Sequence, residues 1–77
     1  MTRAYVLVKR EAGKAKQALG QIAKLPGVKM AHTCWGQPDI FSFVEIPNER
    51  DLAALVLSTI QKMDGVIETE THIVAEV

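Results

Sequence analysis

Two five-residue stretches decide how this chain is read: Lys24-Leu25-Pro26-Gly27-Val28 and Lys62-Met63-Asp64-Gly65-Val66. They agree at Lys, Gly and Val, and each carries a large apolar residue between the Lys and the turn. Pro cannot continue a helix and Gly tolerates a left-handed exit, so each stretch reads as a helix end, a tight turn and a strand entry. Before the first, Ala15, Ala18, Leu19, Ile22 and Ala23 recur at three- and four-residue spacing, which predicts a helix over Lys14–Leu25. Before the second, Leu52, Leu55, Val56, Ile60 and Met63 form one apolar stripe of another helix, with Asn48 as its N-cap behind Pro47.

Four β-prone runs surround these helices: Ala4–Val8, Val28–Trp35, Ile40–Ile46 and Val66–Ala75. The order is therefore β-α-β-β-α-β, and the two echoing turns fall at equivalent points of two βαβ halves. That is the split βαβ, or ferredoxin-like, α+β fold: a four-stranded antiparallel sheet with two helices on one face. The whole chain, 1–77, is one domain.

Alternation makes both sheet faces apolar. Ala4, Val6 and Val8 point one way and Tyr5 and Leu7 the other, while Ile40, Val44 and Ile46 oppose Phe41 and Phe43. Helices cover only one set. Each large apolar side chain gains about 1.5–3 kcal/mol on burial, and a contiguous exposed patch marks an interface. Pairing of two copies through their sheets is expected. Size points the same way, because a chain of 77 residues has a marginal core and small domains need a supplement. The single Cys forms no internal disulfide, and no Cys/His cluster has zinc-site spacing.

Lys+Arg and Asp+Glu both number 9. The basic excess of a nucleic-acid-binding module is missing. No apolar run is long enough to span a bilayer, and no signal peptide is recognisable. A cytoplasmic protein that binds neither nucleic acid nor membrane is expected.

His32 and His72 fall on strands and are the candidate acid–base groups, with Cys34 two residues beyond His32. No nucleophile elbow, phosphate loop or paired-carboxylate motif accompanies them, so no residue is assigned as catalytic and no cofactor or metal is expected. The connection Thr33-Cys34-Trp35-Gly36-Gln37-Pro38-Asp39 holds the only Trp and the only Cys. Backbone N–H groups of a Gly-containing turn converge on anions, and Asp39 would hold a cation beside them, an arrangement suited to a zwitterion with Trp35 as an apolar wall. Alternatively Asp39 hydrogen-bonds locally and stabilises its own hairpin. The residues leave both open.

Taken together, Ala4-Tyr5-Val6-Leu7-Val8, Leu25-Pro26-Gly27-Val28, Gly36-Gln37-Pro38-Asp39 and Met63-Asp64-Gly65-Val66 leading to Thr69-Glu70-Thr71 resemble the effector-binding (RAM) domain of the Lrp/AsnC transcriptional regulators. The resemblance covers essentially the whole chain. It implies dimers that pair through their sheets, assemblies of octamer size or larger rings, and an amino-acid effector held between dimers. Gly36 and Asp39 of the Gly-x-x-Asp turn would recognise its head group, Gln37 and Pro38 would shape the turn, and Thr69 and Thr71 would contribute from the last strand. No helix-turn-helix precedes the first strand, so a stand-alone, non-enzymatic sensing module is expected, one that joins full-length relatives or another partner. The alternatives are a small dimeric ferredoxin-like enzyme of the cofactor-independent monooxygenase or isomerase type, using His32, His72 and Tyr5 inside one subunit, and an assembly module with no ligand.

Overall fold

A computed structural model describes residues 1–75, with residues 76 and 77 and the Ala15 side chain lying outside it. Strand β1 (Thr2–Arg10) leads to helix α1 (Ala15–Ala23), then to β2 (Val28–Thr33), β3 (Ile40–Ile46), helix α2 (Glu49–Ala54) and β4 (Val66–Ile73). The strands lie in the order β2-β3-β1-β4, and every neighbouring pair is antiparallel. The expected βαββαβ fold is what the chain adopts.

Alternation decides the core. Ala4, Val6, Val8, Ile40, Val44 and Ile46 are buried on the helix side, against Ala18 and Ile22 of α1 and Leu52, Val56 and Ile60 of the second helical segment. Ser42 lies fully buried among them and donates from Oγ to the Val6 carbonyl at 2.8 Å. Asn48 caps α2 as expected, accepting the Asp51 N–H through its side chain at 2.9 Å. This cap occupies one of the N–H groups that a helix start leaves without a partner.

Both echoing turns are built alike. Gly27 and Gly65 each have φ of +89°, the left-handed region that a side chain disfavours. Gly27 O accepts from Glu45 N at 2.9 Å and Gly65 O from Glu11 N at 2.7 Å, so each turn is stitched to another part of the chain.

Some boundaries differ from the sequence reading. α1 stops at Ala23, and its end tightens into three-residue bonds, Lys24 N to Gln21 O and Leu25 N to Ile22 O. Ala23 is exposed rather than part of the buried stripe, because Ala18 and Ile22 already face the sheet. β2 stops at Thr33 instead of Trp35, since Cys34 makes one last bond to Asp39 O (2.6 Å) and the chain then turns away. β4 ends at Ile73, though Val74 N still reaches Arg3 O at 2.8 Å. α2 passes directly into a π-helical stretch, Leu55–Ile60, where Gln61 N bonds five residues back to Val56 O at 2.9 Å. Leu52, Val56 and Ile60 all face the core along this combined segment.

Candidate functional site

The β2–β3 connection hangs on three local contacts. Its neck is closed by the Cys34–Asp39 backbone bond, its bend is made at Gly36 (φ +110°), and its base is held by Asp39. The Asp39 carboxylate is only 5% exposed, with Oδ2 standing 2.8 Å from Nε of Arg10 at the end of β1. Asp39 thus leaves its own hairpin unbonded through its side chain and turns to a neighbouring strand. The contact is one of charge more than of aligned hydrogen bonding, for neither Arg10 Nε nor Asp39 Oδ1 has a hydrogen-bond partner among the described residues. A buried pair in this state keeps unmet polar capacity next to the turn.

Arg10 is the residue that sequence reasoning missed. A signal was present: two positions beyond Val8 in the alternation that buries Ala4, Val6 and Val8, a charge falls where an apolar side chain belongs.

Cavities lie beside the turn. One of about 190 Å³ is lined by Gln37 and Pro38 together with Leu7, Lys9, Glu68, Thr69 and Glu70. Another, of about 310 Å³, is lined by Arg10, Thr33, Cys34 and Trp35. Of the residues expected to bind, Gln37, Pro38 and Thr69 therefore meet at one cavity and Trp35 stands at the other, its side chain fully exposed. Thr71 lies elsewhere, in a groove with Leu52, Val56, Leu57 and Ile73. Thr69 Oγ1 already accepts from Gln61 Nε2 at 2.7 Å. Gly36 and Asp39 line none of these cavities.

The acid–base candidates of the enzyme alternative stay apart from any interior space. His32, His72 and Tyr5 are exposed on the sheet face opposite the helices, and none lines a described cavity. His72 Nε2 lies 2.6 Å from Glu70 Oε1, a same-face neighbour two residues away. Among the described residues no group of three or more His, Cys, Asp or Glu is placed to hold a metal ion, and no helix is long and apolar enough to cross a membrane.

The uncovered sheet face is apolar in its middle, as the alternation predicts. Register places Tyr5 beside Phe43, and their rings sit 4.9 Å apart and tilted by 56°. Leu7 and Phe41 pair next to them, and Met30 lies across from Phe43. Charges flank this strip: Lys9 faces Glu68, and Glu70 lies opposite Leu7.

The fold and the site together define a ferredoxin-like domain with an anchored glycine turn between β2 and β3, flanked by small cavities. Residues 3–77 match the model of the Lrp/AsnC ligand binding domain, and the chain belongs to that family. It is 34% identical over 74 residues to an uncharacterized HTH-type transcriptional regulator of Pyrococcus horikoshii, a match covering 96% of this chain and 47% of the relative. The chain thus spans about half the length of such relatives. Among solved structures it is similar to Escherichia coli AsnC, with a TM-score of 0.90 at 25% identity over 99% of this chain and 52% of that one. The fold is also shared with a transcriptional regulator from Neisseria meningitidis solved as an L-Met complex, with a TM-score of 0.84 at 18% identity, covering 97% of this chain and 50% of that one.

Proposed function

We propose that this chain is a non-enzymatic, cytoplasmic amino-acid-sensing and assembly module. Two copies pair through the Tyr5–Phe43 sheet face, and the dimers associate further into a ring of octamer size or larger. An amino-acid effector binds between dimers at the Gly36–Asp39 turn, with Trp35, Gln37, Pro38, Thr69 and Thr71 around it. The observation that carries this reading is the match of nearly the whole chain to a regulatory ligand-binding domain. The bound L-Met of the Neisseria relative supports an amino acid as the effector class.

A single subunit brings only part of the expected site together: Thr71 is away from the turn, and the turn's cavities are small. A site completed by a neighbouring dimer accounts for that. The mechanism is linkage. An effector that binds one assembly more tightly than another shifts the population by that difference in affinity, and the output passes to a transcriptional regulator, including full-length members of the family.

The test is a thermal-shift panel of the twenty amino acids at millimolar concentration. An effector at about a hundred times its Kd adds about 2.7 kcal/mol to the folded state, on the order of ten degrees or more in a domain this small. A selective shift, lost in Asp39→Ala while the dimer persists, is expected. A flat panel on a folded, assembled protein would refute the sensing role.

A further inference from the structure

Asp39 is the acidic residue of the turn, yet its carboxylate is nearly inaccessible and its charge is already met by Arg10 at 2.8 Å. An ammonium group arriving from solvent finds no accessible oxygen there, because Oδ1, though without a partner, is buried as well. Arg10 is different. Its side chain keeps 23% of its exposure and lines the cavity shared with Thr33, Cys34 and Trp35. Nε stands 2.8 Å from Asp39 Oδ2 without an aligned hydrogen bond and Nη1 donates to the Glu11 carbonyl at 3.1 Å, while Nη2 has no bond among the described residues. No carboxylate lines this cavity, in contrast to the neighbouring one that holds Glu68 and Glu70. A planar guanidinium that stands against a buried carboxylate, is tied by Nη1 to a backbone carbonyl and still has an unbonded Nη2 is a receptor for a second carboxylate.

We infer that Arg10 contacts the effector directly, taking the α-carboxylate of an amino acid in the cavity beside Trp35, and that Asp39 is a positioning residue that holds the guanidinium. The inference rests on the proposed amino-acid sensing and changes the groups expected at the turn: a guanidinium takes the carboxylate, and Asp39 is not left to take the ammonium. Thr33 adds a hydroxyl donor on the same wall, and Trp35 supplies an apolar side. The buried Asp39 neutralises Arg10 in the empty site, which lets a cation stand beside the turn without an effector.

The experiment compares each amino acid that shifts the melt with its primary amide, which keeps the ammonium and side chain but has no carboxylate. Calorimetric titration of the full chain should show the acid binding roughly 10- to 100-fold more tightly than the amide, the range of a charge-assisted hydrogen bond. In Arg10→Met the two should bind equally weakly, and Arg10→Lys, which keeps the charge without the fork, should retain part of the preference. Asp39→Asn should shrink the preference without abolishing it. A merely structural role for Arg10 would lower both affinities together and leave their ratio intact, and that result overturns the assignment while amino-acid sensing stands. If Arg10→Met fails to fold, the ratio in Arg10→Lys decides in the same way. A panel in which no amino acid binds removes the proposed function and this assignment with it.

Discussion

Replacing Gly27 by Ala should be among the costliest single-methyl changes in this chain, and the structure divides that cost into two parts. A Cβ at Gly27 would lie 2.3 Å from Ile46 Cδ1 and 3.0 Å from Glu45 O, on a backbone with φ of +89°. The left-handed conformation alone costs a non-glycine residue about 1–2 kcal/mol. Overpacking against the buried Ile46 adds about 1–3 kcal/mol, so Gly27→Ala should lose about 2–5 kcal/mol in all. Ile46→Val removes the clashing Cδ1 and by itself costs about 0.5–1.5 kcal/mol. The next atom of that side chain, Cγ1, stands 3.6 Å away, an ordinary contact, and the 3.0 Å approach to Glu45 O is common to the single and double variants. In the double variant the part due to Ile46 Cδ1 should vanish while the approach to Glu45 O remains, leaving it about 1–3 kcal/mol more stable than the sum of the singles. Urea unfolding of the four proteins at one fixed chain concentration measures this, the concentration being held because assembly contributes to apparent stability. Additivity to within about 0.5 kcal/mol would show that the turn yields freely and that the Gly27–Ile46 contact does not constrain the fold.

Three further changes test separate parts of the molecule. Asn48→Ala should lower stability by about 1 kcal/mol through loss of the bond to Asp51 N, and an unchanged unfolding midpoint would count against the cap. The Lys14 ammonium is held above the ordinary lysine pKa by its hydrogen bond to Asp64 and by that group's charge. Its contribution is accordingly whole below the ordinary lysine value and lost as pH rises through the folded one. Lys14→Met should remove that alkaline decline from a melt-versus-pH series, and an identical decline in both proteins would contradict it. Phe43→Ser, on the uncovered face beside Tyr5, should weaken pairing of two copies by at least tenfold in sedimentation equilibrium while leaving the monomer's fold intact. Unchanged association would place the interface elsewhere.

Strand faces were legible in the sequence because alternation is a local property: Ala4, Val6 and Val8 needed no knowledge of what covers them. The two glycine turns were legible for a similar reason, since Pro26-Gly27 and Asp64-Gly65 restrict only their own dihedral angles. The Arg10–Asp39 pair was not, because its partners are separated by a helix and a strand and meet only through the β1–β3 register. The π-helical stretch was also hidden. The Leu52, Val56 and Ile60 spacing fits an α-helical stripe and carries no mark of the wider coil. At the candidate site, the sequence marked the turn and its acid as candidates. What the acid is bonded to depends on tertiary contact.

Ser42 and the Arg10–Asp39 pair bear differently on how the sheet finds its register. A slip of β3 against β1 by one residue is forbidden by the hydrophobic pattern, since it would turn every buried side chain outwards. A slip by two is not, because it returns apolar side chains to the same face. Ser42 does not break that degeneracy, because an even slip would set an equivalent backbone carbonyl beside its hydroxyl. The Arg10–Asp39 pair does: an even slip would part Arg10 at the end of β1 from Asp39 just before β3 and leave a buried carboxylate without its counter-charge. One charge pair at the rim of an otherwise apolar layer thus indexes the two central strands.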